Sequence, residues 1–239
     1  MRLHVVGCSP AWHNPGGAQS GYLVEDDGRR LLLDCGPGVL PRLRALGPDP
    51  WPRVDAIAIT HLHLDHWGDL VPWAYGALYG AGRDVPRPEL WLPPGAADEL
   101  RTMTRIGGDV LLEVFELHEY EAETPFAAAG FEVTPLQAKH YELLSFSFRV
   151  RGNGSLLAYS ADSAPSDHLV ELGRGADLFL CEATLSQPEV GVRGHLTYDE
   201  AREAFRASGA SRLVVVHRPD ELALPDDVER AHDGLELEV

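Results

Sequence analysis

The feature that most constrains this chain is the run THLHLDH at residues 60–66, which directly follows the apolar stretch VDAIAI. The apolar stretch is typical of a buried β-strand, so the histidines are expected in the loop at its carboxyl end. Imidazoles two residues apart, such as His61 and His63, can converge on one ion. The adjacent Asp65 and His66 can turn towards a second ion. Neutral imidazole and carboxylate are ligands that zinc and related divalent metals prefer. A helical HExxH zinc site is excluded, because this run lacks the glutamate and the histidine spacing of that motif.

Apolar and β-branched runs between Gly- and Pro-rich loops predict two successions of strands, each accompanied by helices. We expect strands at residues 3–8, 21–26, 30–36, 54–60, 89–94, 131–140, 145–151, 155–162, 177–184 and 212–218. We expect helices at residues 38–47, 69–80, 165–173 and 197–208. No linker divides the chain, which predicts one α/β domain over residues 1–239, with two sheets packed face to face and helices outside.

The charge of the chain limits its partners. The formal net charge is −17, from 20 Lys and Arg against 37 Asp and Glu. This charge repels phosphate backbones at long range, which argues against large nucleic acids as partners. The stretch at residues 109–124 has six acidic residues and no Lys or Arg, and we interpret it as a solvated strand and loop.

The chain shows no sign of export or of membrane insertion. It has no apolar run near 18 residues and no signal-peptide pattern at its start. Cys8, Cys35 and Cys181 are odd in number and widely separated, which fits reduced thiols better than a disulfide framework. These features predict a cytoplasmic protein without a membrane partner.

Three further candidate ligands, His140, Asp162 and His217, stand at the ends of predicted strands. With HLHLDH, they make the chain resemble the metallo-β-lactamase superfamily, in which an HxHxDH motif is followed by a distant His, Asp and His. The resemblance implies a four-layer αββα sandwich of two mixed sheets, with the site at one edge. It also implies two divalent ions, with Zn²⁺ as the leading candidate and Mn²⁺ or Fe²⁺ as alternatives.

The same resemblance assigns each ligand to an ion. One ion would be bound by His61, His63 and His140, the other by Asp65, His66 and His217, and Asp162 would bridge both. Asp34 matches a family aspartate that supports the histidine loop, although a turn or helix cap before Gly36 is an equal alternative.

Two motifs further along the chain limit the range of reactions that this site could catalyse. CEATLS (181–186) and RGHLTYDEA (193–201) resemble motifs of the tRNase Z branch, in which a glutamate orients a histidine near the metals. Here that pair would be Glu182 and His195. Cys181 stands where the branch usually has a histidine, so only the glutamate is carried over. The alternative for His195 is a loop histidine that caps the helix at residues 197–208.

The implied chemistry is attack of a metal-bridging hydroxide on phosphorus, with His195 as general acid. Asp65 is predicted to be both a ligand and a catalytic residue, together with Glu182 and His195. A thioester would not need this acid, because its thiolate leaves readily. The alkoxide of a phosphodiester is a poor leaving group, and the pair therefore favours phosphodiester hydrolysis.

The expected substrate is a small molecule, with a cyclic nucleotide such as cAMP as the leading candidate. The motifs resemble those of short bacterial relatives of tRNase Z, which include atypical class II cyclic-nucleotide phosphodiesterases. The alternatives are a tRNA 3′-processing endonuclease and a metal-dependent lactonase or thioesterase. The resemblance also allows a homodimer, since dimers are common in this branch. In the loop at residues 9–22, Trp12 is hypothesised to stack on a base, while an ordinary glycine-rich connection is the alternative.

Overall fold

Two mixed β-sheets lie face to face in the computed structural model, which describes residues 1–104 and 113–239. Within these ranges the strands are β1 (Arg2–Gly7), β2 (Gly21–Asp26), β3 (Arg29–Leu33), β4 (Ala56–Ala58), β5 (Glu89–Leu92), β6 (Glu116–Glu119), β7 (Phe126–Ala128), β8 (Phe131–His140), β9 (Leu143–Gly152), β10 (Ser155–Tyr159), β11 (Leu178–Glu182), β12 (Leu213–Val216) and β13 (Glu236–Glu238). The helices are α1 (Val39–Ala45), α2 (Leu64–Trp67), α3 (Leu70–Tyr79), α4 (Ala96–Thr104), α5 (His168–Gly173) and α6 (Tyr198–Ser208).

The order of the strands explains where functional side chains can collect. The first sheet has the order β13-β1-β2-β3-β4-β5-β6 and the second the order β12-β11-β10-β9-β8-β7. Strands β3 to β6 are parallel, as are β10 to β12, whereas the remaining pairs are antiparallel. Because parallel strands end at the same edge of a sheet, the residues that follow β10 and β12 can meet there. The residues that follow β4 reach the same place from the first sheet, which lies face to face with the second.

The burial pattern gives the four layers. In β3, Leu31 and Leu33 point into the core between the two sheets, while Leu32 belongs to the core beneath the helices that cover the first sheet. The outer face of the second sheet is covered by α5 and α6, which pack on residues such as Phe179. Strands buried on both faces explain why the sequence shows continuous apolar runs rather than alternation. The predicted αββα sandwich of two mixed sheets is confirmed.

All ten predicted strands and all four predicted helices exist, with ends shifted by a few residues. Sequence patterns did not indicate the short elements α2, α4, β7 and β13. Within the acidic stretch, residues 109–112 lie outside the described residues, and β6 is the partly exposed strand that was expected. Phe115 and Tyr120, however, are buried, so solvation does not extend over the whole stretch. No helix among the described residues is both long and apolar enough to cross a bilayer.

The histidine motif differs from the predicted loop in one respect. His61 and His63 lie in a loop after β4, but Asp65 and His66 form the single-turn helix α2. Tertiary contacts hold this turn, since the Cys35 amide donates to the His66 carbonyl at 2.7 Å. At Gly36 an added Cβ would lie 2.0 Å from the Asp65 carbonyl oxygen, so this close approach requires glycine.

Candidate metal centre

The structure brings together all seven predicted ligand residues at the edge where β4, β8, β10 and β12 end. Six of these side chains are buried, and His63 is half-buried. The set consists of His61, His63, Asp65, His66, His140, Asp162 and His217. Buried charged and imidazole groups at this density require either mutual pairing or a bound cation.

One half of the cluster contains three histidines and a carboxylate. The Nε2 of His140 lies 2.9 Å from the Nδ1 of His63 and 3.8 Å from Oδ2 of Asp162. The Nε2 of His61 is also 3.8 Å from Oδ2 of Asp162. One donor atom from each of these four residues lies within 4.8 Å of the others, so they can surround a single ion.

The other half of the cluster contains two histidines and two carboxylates. The Nε2 of His217 lies 3.1 Å from Oδ2 of Asp65 and 3.4 Å from Oδ1 of Asp162. The Nε2 of His66 lies 3.4 Å from Oδ2 of each of the same carboxylates. Their donor atoms again lie within 4.8 Å of one another, and Asp162 is common to both halves.

Three buried atoms of the cluster lack a hydrogen-bond partner, and their chemistry shows whether these residues suit a cation. Among the described residues, Nε2 of His61, Nε2 of His66 and Oδ1 of Asp162 are buried without a hydrogen-bond partner. Such groups are costly in a protein interior unless something compensates them. Each offers a lone pair towards the cluster, and imidazole with carboxylate is a donor set that divalent metals accept. The residues therefore fit the metal ions that the sequence predicts.

The charges of the cluster favour a bound cation, which at His66 would take the place of a proton. Burial lowers the pKa of His61 well below its ordinary value, so its ring is neutral and able to ligate. Burial opposes charge on Asp162, but His217 and His66 outweigh it and hold the pKa of that carboxyl well below its usual range. Burial likewise opposes a charged His66, yet the carboxylates around it, Asp162 first, raise its pKa well above the ordinary value. The centre thus favours positive charge.

Asp34 supports the histidine loop from behind. It is fully buried, and its Oδ2 accepts hydrogen bonds from Nδ1 of His66 and from the hydroxyl of Tyr159, both at 2.8 Å. The Thr60 hydroxyl donates to Asp34 at 3.0 Å and lies 3.0 Å from Nδ1 of His61. The cap of α1 is Gly38, without a side-chain hydrogen bond, so the geometry favours the supporting role of Asp34 over the helix-cap alternative.

Glu182 and His195 lie together beside the metal cluster. Oε1 of the buried Glu182 is 3.0 Å from Nδ1 of His195. The His195 ring stacks on the ligand His217, with centroids 5.6 Å apart and planes at 12°. Burial alone would lower the pKa of His195, but the Glu182 carboxylate outweighs it and raises this pKa to about 9. The residue that caps α6 is Thr197, through a capping box with Glu200, which removes the alternative role of His195 as a cap.

Sequence reasoning missed the residues that hold the loop before His195. The Tyr141 hydroxyl donates to Oε1 of Glu189 at 2.7 Å, while Oε2 of Glu189 accepts from the Gly194 amide at 2.9 Å. The Tyr141 ring meets His195 edge-on at 5.7 Å. Since Tyr141 and Glu189 are 48 residues apart, no local pattern links them. The one available signal was that Tyr141 directly follows the candidate ligand His140.

The loop at residues 9–22 lies beside the segment that follows His217. The Asn14 side chain donates to the Arg218 carbonyl at 3.0 Å and accepts from the Asp220 amide at 2.9 Å. Trp12, in the same loop, is half exposed. The position of the loop is compatible with substrate contact, while the stacking of Trp12 on a base stays a prediction.

Comparison with known families identifies the class of protein. The model of the β-lactamase superfamily domain matches residues 29–218, so the chain belongs to the β-lactamase superfamily. "Probable metallo-hydrolase YhfI" of Bacillus subtilis (strain 168) is 28% identical over 229 residues, which cover 92% of this chain and 87% of that protein. The protein Rv1339 of Mycobacterium tuberculosis (strain ATCC 25618 / H37Rv) is 30% identical over 237 residues, which cover 97% of this chain and 85% of that protein.

Solved structures show the same fold over the whole length. The crystal structure of YhfI from Bacillus subtilis has a TM-score of 0.84 at 22% identity, covering 99% of each chain. The short form of human tRNase Z has a TM-score of 0.79 at 25% identity, covering 100% of this chain and 99% of the other. A diphosphatase from the PhnP family has a TM-score of 0.79 at 21% identity, covering 100% of this chain and 97% of the other. The chain is thus a metallo-β-lactamase-fold hydrolase of the tRNase Z-like branch, with a metal-binding His/Asp cluster.

Proposed function

We propose that this protein is a phosphodiesterase that acts on a small substrate such as a cyclic nucleotide. The observation that carries the proposal is the Glu182–His195 pair, 3.0 Å apart and stacked against the ligand His217. An imidazole that a carboxylate holds protonated near the metal cluster is a proton donor for a leaving oxygen. Among the candidate reactions, phosphodiester hydrolysis gains most from such a donor, because its alkoxide leaves poorly without a proton.

The proposed cofactor is a pair of divalent ions, with Zn²⁺ as the leading candidate and Mn²⁺ or Fe²⁺ as alternatives. Support comes from the two donor sets, which have three and two histidines and share Asp162. Imidazole and carboxylate ligands suit these metals. When bound, the ions would acidify a water molecule and neutralise charge on the phosphoryl oxygens.

Three side chains of the protein would carry out the proton transfer and the orientation of the reacting groups. As the bond to the leaving oxygen breaks, His195 gives its Nε2 proton to that oxygen, and the attacking water releases one proton to solvent as it adds to phosphorus. Glu182 holds the ring by its Nδ1, at 3.0 Å, and stabilises its charged form. Asp65 would act both as a ligand and in catalysis, since its carboxylate lies 3.1 Å from Nε2 of His217 and could accept a hydrogen bond from the attacking water.

The surroundings of the site favour a small substrate with an organic group. Exposed apolar side chains lie close in sequence to the site residues: Leu64 in α2 between two ligands, Tyr141 next to His140, and Val192 three residues before His195. Such side chains suit a nucleobase or another apolar group better than a charged backbone. The net charge of −17 also disfavours a polyanion.

A tRNA 3′-processing endonuclease is the second candidate. Its support is the likeness to the short form of human tRNase Z, which extends over the whole chain. The acidic net charge argues against it, since RNA binding normally depends on basic surface. A lactonase or thioesterase is a third candidate within the same hydrolase class, although a thioester, whose thiolate leaves readily, does not need an acid such as His195.

A substrate panel with metal analysis tests the proposal. The protein, stripped and reloaded with Zn²⁺ or Mn²⁺, would be assayed with bis(p-nitrophenyl) phosphate, cAMP, a precursor tRNA and a homoserine lactone. We expect turnover of the first two, and two equivalents of metal in the active protein. Strong lactone turnover without phosphodiester turnover would refute the proposal, and cleavage of precursor tRNA alone would replace it by the second candidate.

We also propose a cytoplasmic location. Cys8, Cys35 and Cys181 are all free and buried, which is the state that a reducing compartment maintains. Fractionation of the source cells, followed by immunodetection, would test this location, and recovery of the protein outside the cytoplasmic fraction would contradict it.

A further inference from the structure

Two buried carboxylates, Asp34 and Glu182, hold the histidines of the site in the same way. Each accepts a hydrogen bond directly from one histidine: Asp34 from Nδ1 of His66 at 2.8 Å, and Glu182 from Nδ1 of His195 at 3.0 Å. Each also contacts a threonine hydroxyl that reaches a second histidine. The four histidines are therefore held from behind by only two negative charges.

On the side of Glu182, the connecting residue is Thr184. Its hydroxyl oxygen lies 2.7 Å from Oε2 of Glu182 and 2.9 Å from Nδ1 of His217. It also lies 2.9 Å from the His217 carbonyl oxygen. A hydroxyl has a single proton to donate, and a charged carboxylate is the stronger acceptor.

The direction of these hydrogen bonds follows from the donors around Glu182. The carboxylate accepts from the amides of Ser163 at 2.8 Å, Thr184 at 3.2 Å and Leu196 at 3.3 Å, a pattern that suits an ionised group. The Thr184 hydroxyl therefore donates to Glu182, and its oxygen accepts from the Nδ1–H of His217. This places the proton of the His217 ring on Nδ1 and leaves Nε2 free for a metal.

Thr60 does the same on the other side of the cluster. Its hydroxyl donates to Asp34 at 3.0 Å, and its oxygen lies 3.0 Å from Nδ1 of His61. Its backbone amide donates to Asp34 as well, at 2.8 Å, which fixes the carboxylate against this residue. His61 thus also presents Nε2 to the cluster.

We propose that Thr184 and Thr60 are positioning residues, which extend the charge of Glu182 to His217 and of Asp34 to His61. Glu182 then serves two functions at once, because it orients the acid His195 directly and a metal ligand through Thr184. The role given to His195 rests on the proposed function, whereas the role of Thr184 in metal binding does not. Partners of this kind fix the tautomer of a ligand and raise its basicity.

The test compares Thr184→Val, which keeps the shape but lacks the hydroxyl, with Thr184→Ser, which keeps the hydroxyl. The metal-free full chain would be titrated with Zn²⁺ against a chromogenic chelator, and with Co²⁺ while its visible spectrum is recorded. We expect Thr184→Val to lose about 10–100-fold in affinity for one of the two ions, and Thr184→Ser to bind like the parent protein. For the other ion, Thr60→Val should lose affinity by a similar factor, whereas Thr60→Ser should bind like the parent protein.

A second measurement separates this role from that of His195. Across phosphodiesters with leaving groups of different pKa, remetallated Thr184→Val should keep the parent's dependence of rate on leaving-group pKa, whereas Glu182→Gln should change it and also weaken the metal. Equal metal affinity in Thr184→Val and the parent protein would overturn the proposal, as would a loss in Thr184→Ser as large as in Thr184→Val. Failure of the proposed function would show differently, as a parent protein that binds metal but hydrolyses no phosphodiester.

Discussion

The Nδ1 of His140 donates a hydrogen bond to the carbonyl oxygen of Gly194 at 2.7 Å. His140 is a predicted metal ligand, and Gly194 directly precedes His195. The Tyr141 amide adds a second link, at 3.0 Å to the carbonyl of Arg193. The loop that carries the proposed acid is therefore attached to the metal cluster by two hydrogen bonds, one from the His140 side chain and one from the Tyr141 amide.

Replacing His195 by Ala should keep the metals but remove the proton donor. We expect the rate on alkyl phosphodiesters to fall about 10²–10⁴-fold, and the rate on p-nitrophenyl esters to fall much less, because that leaving group needs no proton. Metal content and steady-state rates measure the effect, with His118→Ala on the edge strand β6 as control. Loss of metal from His195→Ala would show that His195 is a ligand and that its assigned role is wrong.

Gly194→Ala should disturb the acid through Tyr141. An added Cβ would lie 2.2 Å from the Tyr141 ring, which is partly exposed and can move only by giving up its hydrogen bond to Glu189. We expect a loss of up to about 3 kcal/mol in the free energy of unfolding, together with a lower kcat on alkyl esters.

The double variant Gly194→Ala/Tyr141→Ala serves as the control for this change. If the clash with the ring is the cause, adding Gly194→Ala to Tyr141→Ala should cost much less than adding it to the parent protein. Strictly additive effects on stability and kcat would show that the ring is not involved.

Removal of metal should destabilise the protein, since it leaves buried lone pairs and carboxylates uncompensated. At a free ion concentration of about 100 Kd, binding adds about 2.7 kcal/mol to the free energy of unfolding. Thermal unfolding with and without a chelator measures this gain, which Zn²⁺ should restore. Asp162→Asn should abolish most of it, because Asp162 belongs to both donor sets; an unchanged gain in that variant would contradict a shared ligand.

Stability below neutral pH should depend on His168, outside the metal centre. Burial lowers the pKa of His168 to about 4, and its Nε2 lies 3.1 Å from the Ser147 hydroxyl, which donates to the Ser160 carbonyl. The unfolded chain takes up this proton near pH 6.5, before the folded one does. The neutral ring therefore contributes fully above pH 6.5, and this contribution is lost as the pH falls towards 4, by at most about 3 kcal/mol.

Urea unfolding of the metal-free protein and of His168→Gln, from pH 7.5 to 4, would measure this effect. The chelator removes the pH dependence that metal binding would add. The variant cannot titrate at this position, so the stability difference between the two proteins should shift with falling pH in favour of the variant. A difference independent of pH would contradict the lowered pKa.

Trp12→Ala should weaken the binding of nucleotides in particular. If the ring stacks on a base, its loss should cost about 1–3 kcal/mol, or about 5- to 150-fold in KM for cAMP. The KM for methyl p-nitrophenyl phosphate, which has no base, should stay near the parent value and is the internal control. Equal KM values for several nucleotides in the variant and the parent protein would remove Trp12 from the site.

The sequence alone determined the fold class and the candidate ligands of this protein. The motif after β4 has a local signature, and each of His140, Asp162 and His217 ends or closely follows a recognisable apolar strand. Periodicity and residue type thus indicated these three residues as candidates at strand ends. Their grouping with the HLHLDH motif in one cluster was what the resemblance to the metallo-β-lactamase superfamily implied.

Only the tertiary structure decided how those side chains are held. The hydroxyl groups of Thr60 and Thr184, the link from Tyr141 to Glu189 and the turn at α2 depend on partners that are mostly distant in sequence, and Tyr159 reaches Asp34 across 125 residues. A threonine that positions a histidine has the same local pattern as one that merely ends a strand. The direction of a side chain and the proton on a ring are set by packing, which leaves no period in the sequence.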